Sequence, residues 1–204
     1  MAPLLVASRN PKKLAELRRV LDAAGIVGVD LVSLDDVPPF PEAPETGATF
    51  EANAVAKARD GYTATGLPTV ADDSGLEVAA LNGMPGGLSA RRSGSHGGPA
   101  ADVANYTLLL AQLRDVPDER RGAAFVSACA LVYGPGDADG AVVRGRWPGV
   151  IARQPRGDRG FGYDPVFIPD GESRSAAELS PAEKDAVSHR GRALTLLLPA
   201  LRTL

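Results

Sequence analysis

The alternation of short apolar runs with helical patterns constrains the fold of this chain more than any other feature of its sequence. Residues 4–7, 29–32 and 69–71 are predicted to be short strands, and they alternate with helices predicted over residues 11–24 and 50–63. A strand–helix–strand–helix–strand order is typical of α/β folds, in which helices cover a sheet. The first half of the chain therefore predicts an α/β fold.

The second half continues this pattern with longer strands. A helix is predicted over residues 100–113, and residues 122–133 form a strand that is apolar on both faces, which is typical of a covered central strand. Two further strands are predicted over residues 141–147 and 150–154, separated by Pro148-Gly149.

The C-terminal segment predicts helices and contains no linker. Ser180 and Glu183 have the spacing of a capping box, with Pro181 at the first helical position, and a Leu-rich helix is predicted over residues 193–203. Since no low-complexity segment or repeat divides the 204 residues, we expect one domain over residues 1–204.

Composition excludes several functional classes. A net charge of −3 is unlike that of a strongly basic nucleic-acid-binding protein, so we expect no nucleic-acid partner. The single cysteine, Cys129, rules out an intramolecular disulfide and is expected to be a core thiol. No run approaches 18 apolar residues, and the N-terminal apolar stretch is too short for a signal peptide. We therefore expect a soluble, cytoplasmic protein without a membrane partner.

The turn after the first predicted strand has the features of a phosphate-binding site. Residues 8–13 join a strand end to a helix start, where exposed backbone N–H groups and the helix dipole favour an anion. Ser8 and Asn10 add short polar groups, and Lys13 adds a positive charge one turn into the helix. The alternative is simple capping of the helix by Asn10, with Lys13 on a solvated face.

Two adjacent acids, Asp72 and Asp73, follow the third predicted strand. Ser74 and Gly75 come next and predict a turn at the strand end, which is where ligands bind in open α/β sheets. Because neighbouring residues of an extended chain point to opposite sides, we expect the two acids to have different tasks, one of them binding Mg²⁺ or orienting water. An acidic turn without a ligand is the alternative.

A turn with two aromatic residues, Phe161 and Tyr163, lies among the glycines of residues 160–165. Aromatic residues make up 5% of the chain, so we expect this pair not to fill the core but to stack on a flat ligand such as a nucleobase, with Asp164 accepting hydrogen bonds. The alternative is a structural turn in which Tyr163 is packed.

The few lysines and histidines are the remaining candidates. Lysine and arginine total 22, of which four are lysines, and there are two histidines. Lys184, His189 and Arg190 lie close together in sequence and could face an electron-rich ligand, or could simply be cations at a helix C-terminus. Glu45 and Lys57 form a weaker pair. Together with the turns above, these residues suggest a nucleoside triphosphate with Mg²⁺.

The chain resembles the inosine triphosphate pyrophosphatases, also called dITP/XTP pyrophosphatases, from about Leu4 to Leu201. Each motif alone is modest evidence for the resemblance, but the presence of all of them in the same order is specific to this family. The motifs are S-R-N-P-K-K at 8–13, E-T-G-A-T-F at 45–50, A-D-D-S-G-L at 71–76, S-A-R at 89–91, W-P-G at 147–149, G-F-G-Y-D-P at 160–165 and E-K-D-A-V-S-H-R-G at 183–191.

The resemblance implies a fold, a reaction and an assembly. It implies an α/β fold with a long mixed sheet flanked by helices, two lobes with an active-site cleft, and a homodimer. The implied reaction is Mg²⁺-dependent hydrolysis of ITP, dITP and XTP between the α- and β-phosphates, which yields the monophosphate and pyrophosphate and cleanses the nucleotide pool.

The resemblance also implies a role for each matching residue. The substrate-binding turn would comprise Ser8, Arg9, Asn10, Pro11, Lys12 and Lys13, with added charge from Lys57 and a contact from Ser74. Glu45 and Asp73 would bind Mg²⁺, Asp73 would be the general base, and Asp72 would support this site. The base pocket would comprise Phe161, Gly162, Tyr163, Asp164, Lys184, His189 and Arg190.

One position departs from the family pattern. The family commonly has an acid directly before the asparagine of the second helix, whereas here Ala52 precedes Asn53 and the acid is Glu51.

A pyrophosphatase for modified pyrimidine triphosphates is one alternative function. A nucleotide sensor without turnover is the other, although the acids that catalysis requires are present.

Overall fold

The structure is a computed structural model that describes residues 2–41, 44–95, 97–136 and 138–204. It contains six strands and five α-helices in these residues. The strands are β1 (Ala2–Val6), β2 (Val29–Val32), β3 (Thr69–Val78), β4 (Gly122–Val132), β5 (Gly140–Ile151) and β6 (Phe167–Pro169). The helices are α1 (Pro11–Ala23), α2 (Phe50–Thr65), α3 (Gly98–Gln112), α4 (Pro181–Val187) and α5 (His189–Leu201).

The six strands form one mixed sheet in the order β2-β1-β3-β4-β5-β6. Strand β1 pairs in parallel with both β2 and β3, whereas β5 and β6 are antiparallel. The parallel pairs are connected through α1 and α2, as α/β units require. The predicted α/β fold with a mixed sheet is therefore confirmed.

The chain divides into two compact units, each built from separate segments. The first unit contains residues 1–73, 127–145 and 190–204, and the second contains residues 74–126 and 146–189. Two units agree in number with the two lobes that the resemblance implies. The expectation of a single domain over residues 1–204 stays a prediction.

The core of the first unit forms between strands β1, β3 and β4 and the helices α1 and α5. Leu17 and Leu21 are one helical turn apart on α1 and are buried with Leu4 and Leu197 in one cluster. Cys129 is fully buried in the same cluster, and burial raises the pKa of its thiol to about 12. The prediction of a core thiol is confirmed.

The core of the second unit is rich in aromatic side chains. Phe125 lies edge-on to Phe167 with ring centroids 4.7 Å apart, and Trp147 contacts Phe167 in the same manner at 5.4 Å. Leu76, Leu109 and other aliphatic residues surround them. Edge-to-face pairs of this kind add about 0.5–1.5 kcal/mol beyond the apolar area that they bury.

Strand β3 is longer than predicted, because Asp72 to Gly75 belong to the strand and do not form a turn. Both residues are less than 10% exposed, and cations from other elements contact each of their carboxylates. These cations stabilise the buried charges of Asp72 and Asp73 in the strand. They cannot be predicted from the sequence around the two acids.

Strand β5 is also continuous, although two strands separated by Pro148-Gly149 were predicted. Gly149 pairs with Pro169, at the end of β6, and the carbonyl of Pro148 accepts a hydrogen bond from the backbone of Asp170 at 3.0 Å. Pro148 therefore lies where its short partner strand β6 ends. The absence of a backbone N–H at Pro148 consequently costs the sheet little stability.

The C-terminal region contains two helices. Ser180 and Glu183 form the predicted capping box at the start of α4. Helix α5 then begins at His189, four residues before the predicted helix start. None of the described helices is long and apolar enough to cross a bilayer.

Candidate functional site

The turn between β1 and α1 positions the predicted phosphate-binding residues at a helix start. The hydroxyl of Ser8 accepts a hydrogen bond from the backbone N–H of Asn10 at 3.2 Å, and the carbonyl of Asn10 accepts from the N–H of Lys13 at 3.0 Å. Helix α1 begins at Pro11, as predicted. Arg9 and Pro11 are exposed at this end, and the side chain of Lys12 lies outside the described part of the chain.

Lys13 belongs to a chain of alternating charges in the first unit. Its Nζ lies 2.8 Å from Oδ1 of Asp72, whose Oδ2 accepts from Nε of Arg190 at 3.1 Å. Nη1 of Arg190 in turn donates to Oε2 of Glu16 at 2.9 Å. Except for Lys13, whose side chain is 19% exposed, each of these residues is at least nine-tenths buried.

This chain of charges keeps Asp72 and Arg190 ionised. Burial alone would raise the pKa of the Asp72 carboxyl, but Lys13 and Arg190 outweigh burial and hold that pKa well below its ordinary value. Burial would likewise lower the pKa of Arg190, and Asp72 and Glu16 raise it above its ordinary value. Asp72 therefore remains an anion that orients Lys13.

Asp73 contacts a different set of side chains. Its Oδ2 accepts from Nδ2 of Asn53 at 2.9 Å, and its Oδ1 lies 3.3 Å from Nζ of Lys57. Lys57 also forms an ion pair with Glu45. The two adjacent acids thus have different partners, Lys13 and Arg190 for Asp72 and Lys57 for Asp73, whereas the separate tasks expected of them stay a prediction.

Lys57 holds two carboxylates at one ammonium group. Burial would lower the pKa of Lys57, but its hydrogen bond to Glu45 and the charge of Asp73 outweigh burial and raise it. The ammonium is therefore charged at neutral pH.

The donor set of Glu45 and Asp73 fits Mg²⁺. The described residues contain no cluster of three or more histidine, cysteine, aspartate or glutamate side chains that could bind a metal ion. Mg²⁺ commonly uses one or two carboxylates and completes its shell with water and substrate phosphates. Glu45 and Asp73 could supply two hard oxygen ligands, and both already lie next to a common cation, Lys57, so this position favours positive charge.

The aromatic turn in the second unit is fixed through its backbone by two carboxylates. Oδ2 of Asp164 accepts from the N–H of Phe161, and Oδ2 of Asp102 accepts from the N–H of Gly162, each at 2.8 Å. Gly160 has a φ of +77°, and a Cβ there would collide with the Asp164 carboxylate. The turn therefore requires a glycine at this position.

The two aromatic residues of the turn have different environments. Phe161 is 38% exposed, and Nζ of Lys184 lies 5.2 Å from its ring centroid while also bonding to Asp164. Tyr163 is 3% exposed within the core, and its hydroxyl donates to the carbonyl of Ser89 at 2.9 Å. Burial raises the pKa of Tyr163 to about 12. The expectation that neither residue fills the core is therefore wrong for Tyr163.

The other residues assigned to the base pocket lie in both units. His189 belongs to the second unit, is 6% exposed and stacks on Phe125 with centroids 4.9 Å apart. Arg190 belongs to the first unit and bonds to Asp72 and Glu16. Ser74, for which the resemblance implies a contact with the nucleotide outside the base pocket, lies in β3 and is half-buried. That these residues contact the nucleotide stays a prediction.

Sequence reasoning missed Glu16 and Asp102. Glu16 lies one helical turn after Lys13, and this spacing could have indicated a shared helix face. Asp102 precedes its partner Gly162 by 60 residues, so no local pattern connects them. The shifted acid Glu51 forms an exposed ion pair with Arg144 at 3.0 Å.

Comparisons with known proteins agree along the whole chain. The model of the Ham1 family matches residues 4–200. A dITP/XTP pyrophosphatase of Mycolicibacterium paratuberculosis is 76% identical over 205 residues, which cover 100% of this chain and 98% of that protein. The corresponding protein of Nocardia farcinica is 72% identical over 204 residues, with coverage of 100% and 97%.

Solved structures give the same result for the fold. A HAM1 protein from Coxiella burnetii superposes with a TM-score of 0.87 at 40% identity, covering 100% of both chains. A nucleoside-triphosphatase / dITP/XTP pyrophosphatase from Mycobacterium abscessus superposes with a TM-score of 0.79 at 67% identity, covering 98% of this chain and 99% of that one.

Proposed function

The chain belongs to the Ham1 family, and we propose that it is a nucleoside triphosphate pyrophosphatase that hydrolyses dITP, ITP and XTP to the monophosphate and pyrophosphate. The observation that carries this proposal is the cluster of Asp73, Lys57 and Glu45, in which two carboxylates share one ammonium. Relatives named dITP/XTP pyrophosphatase support the choice of substrate.

The phosphates are assigned to the first unit. Lys13, held by Asp72, and the backbone N–H groups at the start of α1 supply positive charge for a polyanion. The hydroxyl of Ser8 adds a polar contact at the same turn. Lys57 stabilises negative charge that develops on the leaving pyrophosphate. Because Lys13 and Lys57 are already oriented by carboxylates, little reorganisation of these two side chains is required when the substrate binds.

Hydrolysis requires a base, and Asp73 is our candidate. Its Oδ2 accepts from Asn53 and its Oδ1 faces Lys57, so the carboxylate is oriented from both sides. We propose that it accepts a proton from the water that attacks the α-phosphate. A positioned base typically contributes about 10²–10⁴-fold to the rate. Mg²⁺, held by Glu45 and Asp73, would polarise the phosphate oxygens and neutralise charge.

Recognition of the base is assigned to the exposed ring of Phe161 and to Lys184. The ring offers a stacking surface, and the Lys184 ammonium is a hydrogen-bond donor beside it. Hypoxanthine and xanthine carry a carbonyl at position 6, where adenine carries an amino group. A donor would therefore favour the carbonyl, whereas adenine would leave polar groups unpaired, at a cost of about 1–3 kcal/mol.

The decisive experiment measures pyrophosphate release from ITP, dITP, XTP, GTP and ATP, with Mg²⁺ and with a chelator. We expect rapid release from ITP, dITP and XTP, slow release from ATP, and loss of activity with the chelator, whereas the GTP rate measures how far the 2-amino group of guanine is rejected. Equal rates with methylated pyrimidine triphosphates would contradict the proposed specificity. Saturable ITP binding without pyrophosphate release would indicate a nucleotide sensor.

We further propose that the protein is a cytoplasmic homodimer, as the family resemblance implies. Light scattering coupled to size-exclusion chromatography would measure the mass, for which a dimer of the 21.1-kDa chain is expected. A mass of one chain at micromolar concentration would contradict the dimer. Fractionation of cells from the source organism would test the compartment.

A further inference from the structure

A cavity of about 420 Å³ lies in the second unit, lined by residues that the proposed function does not use. This volume is within the range of about 300–1,000 Å³ that is typical of small-molecule sites. Charged residues and apolar side chains of β5 and β6 line it, among them Asp118, Arg121, Arg153, Arg156, Val150 and Ile168.

Arg121 brings an unbalanced positive charge to this cavity. The residue is 2% exposed, and its guanidinium donates to three backbone carbonyls, those of Leu113 at 2.6 Å and of Ile151 and Ala152 at 2.8 Å. Within the described part of the chain, no carboxylate forms an ion pair with it. Carbonyls satisfy its N–H donors, but the negative charge that acts on it is that of Asp118, which is already paired with Arg153, and a positive charge with so little compensation is unfavourable in a buried position.

The neighbouring side chains do not remove this excess charge. Arg153 pairs with Asp118 at 2.7 Å, so these two neutralise each other. Arg156 donates to the carbonyl of Ser173 at 2.8 Å and lies 3.7 Å from the nearest oxygen of Glu178. The lining thus has three positive charges and one negative charge, and one positive charge remains even when Glu178 is counted.

We propose that this cavity binds a phosphate dianion, either inorganic phosphate or a phosphomonoester. Guanidinium groups match the oxygens of a phosphate geometrically and remain charged at every physiological pH. A dianion would compensate Arg121 and compete with Asp118 for Arg153. The apolar wall formed by Val150 and Ile168 would contact the organic group of a phosphomonoester.

Calorimetric titration at constant ionic strength tests the site. Inorganic phosphate and deoxyinosine monophosphate are each titrated into the full-length protein and into an Arg153→Gln/Arg156→Gln double variant. We expect the double variant to bind phosphate at this site about tenfold more weakly or worse, since it loses two charged donors. Asp118→Asn should bind more tightly, because the competing carboxylate is removed.

Two further variants separate this site from the phosphate turn. Arg144→Gln removes an arginine that pairs with Glu51 in the first unit and should leave phosphate binding unchanged. Lys13→Ala should abolish anion binding at the α1 turn and preserve binding in the cavity. Binding of either probe in the cavity supports a phosphate ligand. The probe that binds more tightly shows whether that ligand is inorganic phosphate or a phosphomonoester.

The proposal is overturned if the double variant and Asp118→Asn both bind phosphate as the unmodified protein does, or if Lys13→Ala alone abolishes all binding. Neither result depends on catalysis, since the titration contains no triphosphate. The titration would therefore still test the cavity site if the proposed pyrophosphatase activity were absent. Likewise, failure of the cavity site to bind phosphate would not affect the proposed activity.

Discussion

Asn53 donates a hydrogen bond from Nδ2 to Oδ2 of Asp73 across 2.9 Å, and its Oδ1 accepts from the backbone N–H of Gly47 at 2.7 Å. One buried amide thus ties the loop that carries Glu45 to the strand that carries Asp73. The two proposed Mg²⁺ ligands are 28 residues apart in sequence, and Asn53 contacts Asp73 itself and Gly47, which lies two residues after Glu45.

Asn53→Ala is therefore expected to weaken both stability and metal use. It leaves an oxygen of Asp73 and the N–H of Gly47 without this partner, at a cost of about 1–3 kcal/mol in the free energy of unfolding. Denaturant unfolding measures that loss, and a Mg²⁺ titration of activity should show a higher half-saturating concentration. An unchanged Mg²⁺ requirement would remove Asn53 from the metal site.

Asp73→Asn should reduce turnover by roughly 100-fold or more while the protein remains folded. The amide keeps the shape of the side chain but can neither accept a proton nor bind Mg²⁺ as a carboxylate does. Pyrophosphate release measures activity, and circular dichroism during heating checks the fold. Near-normal turnover would exclude Asp73 as the base.

Lys13→Arg should impair activity although the charge is kept. The guanidinium is planar and larger than the compact ammonium that meets Asp72 at 2.8 Å, so the two are not interchangeable at a tight contact. We expect KM to rise by about tenfold, which corresponds to about 1.4 kcal/mol. Arg18→Lys, on an exposed position of the same helix, is the matched control and should leave KM unchanged.

Asp102→Ala should affect binding of the base more than the chemical step. The variant frees the N–H of Gly162 and loosens the turn that presents Phe161. We expect KM for dITP to increase with little change in kcat. Asp102→Asn retains an acceptor oxygen and should restore most of the affinity, whereas failure of both variants to change KM would show that Asp102 does not position this turn.

Asp72 should make stability dependent on pH in the acid range. Its folded-state pKa is below its ordinary value of 3.8, so the ionised carboxylate stabilises the protein above that value, and this contribution is lost as the pH falls below it. Asp72→Asn should be less stable at pH 7 and should show a shallower loss of stability below pH 4. Unfolding curves between pH 2 and pH 7 measure both effects, and parallel curves for the two proteins would contradict the assignment.

Local patterns predicted much of the fold. The strand–helix alternation, the capping box of α4 and the apolar strand β4 depend on spacing along the chain, and spacing is visible in a sequence. The continuation of β3 through Asp72 and Asp73 was not predictable from local sequence, because Lys13, Lys57 and Arg190 neutralise these acids from three other elements.

The same distinction applies to the candidate site. Residues on recognisable motifs, such as Lys13, Asp73 and Lys184, could be named in advance. The task of Asp102 depends on a contact between α3 and a distant turn, and the buried position of Tyr163 depends on how the core of the second unit closes around it. Both properties arise from tertiary packing.

The burial of Cys129 makes this protein convenient for site-specific labelling. Its sulfur is inaccessible, and because the thiolate is the reactive form, a thiol pKa of about 12 leaves almost none of it at neutral pH. A cysteine introduced on the surface would therefore react alone with a maleimide dye. Because the unmodified chain does not react with the dye, a fluorophore attached to a cysteine introduced on the Phe161 turn could report nucleotide binding directly.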